Sequence, residues 1–374
     1  MARLTATMMA LLLTQAAHAG DIVFDLPSDD RWHYPFNFSP GTRELAPVFS
    51  SIGDPNFHTF NDRDGILIVA WDTAALISPG QPLATYRLRS LQVTLMNIEG
   101  ADWIPDLTID EWYTHDWHND GTLNADGFPR GHPSDSDGES DDVDPGRPIE
   151  LFGAGFGPTY SLLSWNELSP YAGGDQYTLR PRDPFPFTYE PQTLAMLHVE
   201  DSLKGAHNSA VGVTHFTAIP WAIGVPINYT PGNQPVPFDV VFDVDLAAFN
   251  GQVQGYFQNQ LAVGRVVVVI TCLRETSKQG AGNPNFFTKE ILNIDPSVRA
   301  PTLRIEFASP PDGDMDDDNN VSYDDFAVFW DCLEGPQQIP AIGATCLDNF
   351  DFDTDEDVDL RDLSNWMRRF TGGS

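Results

Sequence analysis

The sequence predicts a mostly β protein, an antiparallel jelly-roll-like sandwich followed by a small α-helical module. Three observations carry this reading. Ile66 to Trp71, Leu88 to Leu95, Val236 to Val244 and Val266 to Thr271 are apolar or alternating runs rich in β-branched residues, separated by clusters of Gly, Pro, Asn and Asp. Such runs fit a pleated, half-buried surface, and the clusters are turn chemistry. Helical spacing is scarce up to Phe307, and beyond it the composition shifts to an acidic segment with two apolar stripes at helical period. Short strands with long polar connections favour an antiparallel sandwich over alternating βαβ units.

Charge bounds the partners. The 374 residues carry 54 Asp+Glu against 20 Lys+Arg, a formal net charge of -34. Phosphates and anionic surfaces are bound through basic side chains, so the balance argues against nucleic acid and anionic lipid and leaves neutral, basic or metal-ion partners. With 41% hydrophobic and 11% aromatic residues the chain can still build a core, so acidity does not imply disorder. At roughly 100 to 200 residues per domain, the length implies two domains or one large sandwich with an appendage.

Residues 1–19 have the organisation of a signal peptide: Arg3, the apolar stretch Met8 to Leu13, and Ala17-His18-Ala19 as a small-x-small cleavage site. Gly20 is expected to begin the mature chain. No later stretch reaches the roughly 18 consecutive apolar residues of a membrane helix, so no transmembrane segment is expected. The protein is read as secreted or extracellular, with association to a cell surface left open. Export permits disulfides. Of the 3 Cys, Cys332 and Cys346 lie close in sequence and are expected to pair, while Cys272 ends a strand-like run and reads as a buried, inert thiol.

The β domain is placed at 20–307. Its long acidic insert, 115–147, includes Ser134-Asp135-Ser136-Asp137-Gly138-Glu139 and has almost no apolar content. It reads as a solvated surface loop, with a calcium site as the alternative because closely spaced carboxylates supply hard oxygen ligands. Ala247 to Leu261 approximates a three-four rhythm despite Gly251 and Gly255 and predicts a helix. Leu303, Ile305 and Phe307 alternate with polar residues as a last half-buried strand. Residues 308–311, Ala-Ser-Pro-Pro, then form a stiff linker, since consecutive prolines cannot continue a sheet.

The segment 312–374 holds seventeen acidic residues against three arginines. Asp314 to Phe326 aligns without a gap on Asp351 to Leu363, thirty-seven residues later. The first copy places Asp314, Asp316 and Asp318 at loop positions 1, 3 and 5, Asn320 at 7, Val321 at 8, Ser322 at 9 and Asp325 at 12. The second places Asp351, Asp353, Asp355, Asp357, Val358, Asp359 and Asp362 at the same positions. Carboxylates two apart on a curled loop point at one cation, position 7 lends its backbone carbonyl, and position 12 closes the shell. This is the chemistry of EF-hand-type calcium loops, and it predicts two Ca2+ sites. Val321 and Val358 are expected to pair or to anchor the loops to the core. Each loop leads into a short helix with an apolar stripe, Phe326, Phe329, Trp330 and Leu333 in one, Leu363, Trp366, Met367 and Phe370 in the other. The two stripes are expected to pack together. The Cys332–Cys346 bridge would brace the connection between the repeats and is worth roughly 3 kcal/mol in the chain-entropy model.

On these residues the segment 312–374 resembles the type I dockerin family, whose modules carry two calcium loops, each followed by a helix. The resemblance includes the Asp325-Phe326 and Asp362-Leu363 endings, and it implies a cohesin-like protein partner contacted by loop positions 10 and 11, here Tyr323, Asp324, Leu360 and Arg361. These differ between the copies, which argues against a symmetric binding mode. The family's glycine at position 6 is replaced by Asn319 and Glu356. Asn tolerates positive φ and Glu does so at a cost of about 1 kcal/mol, so the second site is expected to be weaker or distorted.

In the β domain, Ala247 to Val253, Leu261 to Gly264, Phe286 to Glu290 and Ala300 to Leu303 resemble the closing part of DNRLRE-type carbohydrate-binding sandwiches. That resemblance implies a polysaccharide-binding module. Trp103, Trp112, Tyr113, Trp117 and Trp165, near Asp, Asn and His, have the composition of a sugar platform, with core packing as the competing reading. Asp110, Glu111, His115, Asp116 and His118 form the densest polar cluster, but paired carboxylates need a defined separation to hydrolyse a glycoside, and no catalytic residue is assigned. Three functions fit: a secreted protein whose sandwich binds polysaccharide or a cell-surface glycan while the module mediates assembly or attachment; a secreted glycoside hydrolase or polysaccharide lyase with the same module; or a structural envelope or matrix protein.

Overall fold

The computed structural model describes residues 20–34, 41–49, 65–98, 105–111, 147–171, 183–199, 202, 216–227, 237–272, 283–308, 313–315, 321–338, 340 and 344–370. Residues 1–19, expected to be a signal peptide, most of the acidic insert and the prolines of the 308–311 linker lie outside them. Contacts divide the chain into a β unit, Ile22–Ile305, and a C-terminal unit from Glu306 onward.

The protein is mostly β, with two antiparallel sheets of seven strands each among the described residues, an arrangement consistent with a sandwich. The strands are β1 (Gly20–Phe24), β2 (Asp29–His33), β3 (Leu45–Pro47), β4 (Ile66–Asp72), β5 (Leu88–Asn97), β6 (Ile149–Gly155), β7 (Phe185–Tyr189), β8 (Met196–His198), β9 (Ala222–Ile223), β10 (Val225–Pro226), β11 (Phe238–Asp243), β12 (Arg265–Cys272), β13 (Asn285–Phe287) and β14 (Thr302–Phe307). One sheet runs β1-β14-β5-β11-β10, with β13 bridging β5 to β3. The other runs β2-β4-β12-β6-β7-β8, with β9 on β6.

The strand sequences explain the difference between the sheets. From Leu91 to Asn97 in β5 buried and half-exposed residues alternate, and β11 buries Phe238, Val240 and Phe242 on one face, the signature of a sheet with one solvated side. By contrast every residue of β12 is buried, as are all of β6 and six of the seven in β4. A continuous Val-Val-Val-Val-Ile run requires cover on both faces. One cover is visible: Trp165, Phe156, Tyr160 and Leu162, from the segment after β6, pack on Ile66, Ile68, Ala70, Val267 and Val269.

Helix α1 (Gln252–Val263) starts five residues later and ends two residues later than the stretch that predicted it, between Gly251 and Gly264, both left-handed. The β6–β12 pairing stops at Gly153↔Val268, and α1 completes it with side chains. Tyr256 Oη accepts from the Ala154 N–H (2.9 Å) and donates to the Val267 carbonyl (2.7 Å), while Gln260 Oε1 accepts the Val267 N–H (2.7 Å). Buried backbone groups at the end of a ladder are costly unless paired, and these two side chains pair them. Burial raises the Tyr256 phenol above its ordinary range, so it remains a donor at physiological pH.

The C-terminal unit contains α2 (Tyr323–Cys332), α3 (Ala344–Phe350) and α4 (Leu360–Arg369). Its core joins Val321, Phe329, Cys332, Cys346, Phe350, Val358 and Trp366. The two stripes do meet: Phe326 and Phe329 lie 5.2 and 5.9 Å from Trp366, ring centre to ring centre. Trp330 and Met367, however, are 61% and 65% exposed, so each stripe is narrower than expected. The residue at i+4 faces outward because Cys332 in α2, and the second half of each stripe, already fill the contact. Cys332 and Cys346 form a disulfide, and Cys272 is a buried thiol 4.0 Å from the Arg147 carbonyl. Helix α3 was not anticipated; at 7 residues it is too short to display a period.

Candidate metal centre

Helices α2 and α4 begin identically. Ser322, the N-cap of α2, accepts the Asp324 N–H, and Asp325 returns the bond by accepting the Ser322 N–H (2.7 Å). Asp359 and Asp362 repeat the pattern at α4, with the Asp359 N–H donating to Asp362 Oδ2 at 2.8 Å. The other oxygen of each position-12 carboxylate reaches back to the start of its own loop: Asp325 Oδ1 accepts the Met315 N–H (2.5 Å) and Asp362 Oδ1 accepts the Phe352 N–H (2.6 Å). One buried carboxylate thus caps a helix and closes a loop, twice, thirty-seven residues apart. In sequence this box is Ser322-x-x-Asp325 and Asp359-x-x-Asp362, a capping signal that the reading of these residues as calcium ligands passed over.

Of the predicted ligands in the first loop, Asp314 and Asp325 are described, while Asp316, Asp318 and Asn320 lie outside the described residues. The second loop is described throughout. Asp351, Asp353, Asp355 and Asp362 each offer a carboxylate oxygen within 4.8 Å of the others. Asp351 also accepts the N–H groups of Asp355 and Glu356, both at 3.2 Å, which curls the loop around it. Burial, ahead of the neighbouring Asp362 charge, pushes the Asp351 carboxyl up to about 6, and burial likewise raises Asp362 and Asp355. Asp357 points elsewhere: its carboxylate accepts the Gln337 N–H and gathers with Asp359 and Asp362. At position 7 its expected contribution is the backbone carbonyl. Glu356 holds φ at 69° and Thr354 at 60°, left-handed values that L side chains resist. A set of hard oxygens from alternating aspartates fits calcium; these are the groups that would hold it.

The other predicted candidates separate. Trp165 is 1% exposed and packs under Arg265, so it is core and cannot be a sugar platform. Trp103, Trp112, Tyr113, Trp117, His115, Asp116 and His118 lie outside the described residues. Asp110 is buried against Arg147 at 2.7 Å, and Glu111 accepts from the Thr217 hydroxyl. Sequence reasoning missed a cavity of about 480 Å³ beside α1, lined in part by Phe187, Tyr189, Met196, Tyr256, Gln252 and Asn259. Its walls come from β6 and the segment after it, β7, β8 and α1, and no local motif marks a junction of that kind.

No helix among the described residues is long and apolar enough to cross a membrane. Comparison with known proteins finds no matching family model, no matching curated protein and no matching solved structure.

Proposed function

We propose that the protein is a secreted calcium-binding protein in which a jelly-roll-like β-sandwich binds polysaccharide or a surface glycan and the dockerin-like C-terminal module mediates assembly or attachment. The observation that carries this is the second loop, where four carboxylates within 4.8 Å of one another are tied to a helix N-terminus by a capping box that recurs in the first repeat. Calcium bound there would fix the loops, and the loops position α2 and α4. The exposed residues support a docking role. Tyr323 and Leu360 share loop position 10, Trp330 and Met367 share a second repeat-related position, and all four are more than half exposed. Large apolar side chains at matched, solvent-facing positions are the composition of a protein contact. A cohesin-like domain is the partner the family resemblance implies.

For the sandwich, the cavity beside α1 supplies aromatic faces, Tyr189 among them, beside the amides of Gln252 and Asn259. Ring faces stack on sugar C–H surfaces and amides take hydroxyls. Incubating the full-length protein with insoluble and gel-forming polysaccharides in calcium, and assaying the supernatant for sugar, tests the reading. Saturable retention on one glycan class, weakened by Tyr189→Ala, is the expected result. Sugar release would replace it with a glycoside hydrolase or polysaccharide lyase, and absence of both would leave a structural matrix role.

A further inference from the structure

A second group of acids lies wholly within the β unit, on residues no part of the calcium repeat uses. Asp30 sits on β2, Glu167 in the segment after β6, and Glu290 in the 3₁₀ turn Lys289–Asn293. Their carboxylate oxygens fall within 4.8 Å of one another. Hydrogen bonds account for only part of this cluster. Glu167 Oε2 accepts the Asp30 N–H (3.1 Å) and the Lys289 ammonium, and Asp30 accepts the Lys289 N–H through Oδ2 (2.6 Å). Asp30 Oδ1 and Glu290 Oε2 are buried and meet no N–H or hydroxyl donor among the described residues, facing each other as a pair that only a shared proton or a cation can join, and Asp30 as a whole is 1% exposed.

Two buried carboxylate oxygens without a donor, side by side, are an unfavourable arrangement that a cation relieves. Among the described residues, Lys289 is the base that reaches these carboxylates. Lys289 Nζ donates to Ser28 O (2.6 Å) as well as to Glu167, Arg31 donates to the Ser169 carbonyl (2.5 Å), and Arg265 pairs with Asp29 (2.5 Å). Three carboxylates and one ammonium leave a charge of two negative units, which one divalent ion neutralises. We propose that Asp30, Glu167 and Glu290 form a calcium site in the β unit, distinct from the C-terminal loops. The all-oxygen donor set selects a hard cation over zinc, and carboxylates from three separate segments suit the flexible shell of calcium better than the strict octahedron of magnesium. Burial and the Glu290 charge raise Asp30 well above the usual carboxylate range, so a proton is the competitor that calcium displaces. Bound there, calcium would clamp β2, the segment 156–171 and the turn 289–293, holding the cover over Ile68 and Val269.

Calorimetric titration of the full-length protein with calcium, comparing wild type with Glu290→Gln and with Asp30→Asn, reads the number of ions bound. Each variant is expected to bind one fewer ion per chain while retaining the near-ultraviolet dichroism of the wild type. Crystals of the wild-type protein soaked in terbium are expected to show an anomalous peak among the three carboxylates. Equal stoichiometry in folded variants, or a wild-type crystal with filled C-terminal loops and no peak at Asp30, would overturn the proposal. If a variant does not fold, the wild-type crystal alone decides.

Discussion

Asp110 and Asp29 of the β unit lie against Arg147 and Arg265 at 2.7 and 2.5 Å, whereas Asp351 and Asp362 of the C-terminal unit are buried against backbone N–H groups. Arg361, beside the second loop, is exposed and stands 3.6 and 3.9 Å from the rim residues Asp355 and Asp353, and Arg369 lies over the Phe352 ring. Buried charge can be balanced by a fixed counter-ion side chain, by protonation, or by an exchangeable cation. At Asp110 and Asp29 the β unit uses the first, whereas the donor sets of the second loop and of the Asp30 cluster suit the third. Asp183 of the β unit is the instructive exception: it is buried on three N–H groups, those of Gly157, Thr159 and Tyr160, and a lone carboxylate needs no more. In the second loop four acids converge, and backbone amides cannot offset their mutual repulsion.

The largest effect expected from this contrast is in the β unit. Arg147→Met leaves Asp110 and Glu150 buried without their cation, and breaking such a pair costs about 3 to 5 kcal/mol. Urea unfolding of the variant should show that loss with or without calcium. Restoring most of it by adding Asp110→Asn would show that uncompensated charge, rather than lost packing, is responsible. Chelation should come next and act on the other unit. If calcium stands at a hundredfold excess over its dissociation constant, each loop gains about 2.7 kcal/mol. A chelator should therefore reduce helical circular dichroism by the share of α2 and α4 and leave that of α1 and the β signal in place; a helical signal indifferent to chelator would sink the idea that metal balances these carboxylates.

Glu150 sharpens the comparison from the protonation side. Burial, and then the Asp110 charge, raise its carboxyl well above the ordinary glutamate value. A carboxyl with a raised folded pKa binds its proton more tightly in the native state, so stability falls as pH rises from about 4.3 to the folded value. Glu150→Gln removes that slope. The variant should match wild type near pH 4 and be the more stable of the two at pH 7, as read by thermal unfolding at both values.

The same contrast explains how much was legible. Strands β4, β5, β11 and β12 could be placed from the runs beginning at Ile66, Leu88, Val236 and Val266, because a period of two or an unbroken Val run is a local property. The loop repeat was legible because alternating aspartates over twelve positions serve one local geometry. What sequence withheld is non-local. Trp165 is apolar core or sugar platform depending on a segment that covers it, and Asp30, Glu167 and Glu290 are separated by more than a hundred residues in chain and by 4.8 Å or less in space. The outward turn of Trp330 was equally hidden, since periodicity fixes a face and not how wide a face the partner helix fills.

The smallest predicted effect tests the asymmetry between the two loops. Glu356 stands at φ 69° where the dockerin pattern has glycine, and a non-glycine residue there costs about 1 kcal/mol. Glu356→Gly should relieve that strain and tighten calcium at the second loop by about fivefold, the equivalent of 1 kcal/mol. Asn319→Gly, the matching change in the first loop, should do much less, because asparagine tolerates the left-handed region. The two variants remove different charges, Glu356 being acidic and Asn319 neutral, so a Glu356→Asn variant separates strain from charge. Backbone strain predicts that Glu356→Asn recovers most of the gain of Glu356→Gly. Lost acidity predicts weaker binding in both Glu356 variants, and that result would mean the φ at this position is set by the loop at no appreciable cost.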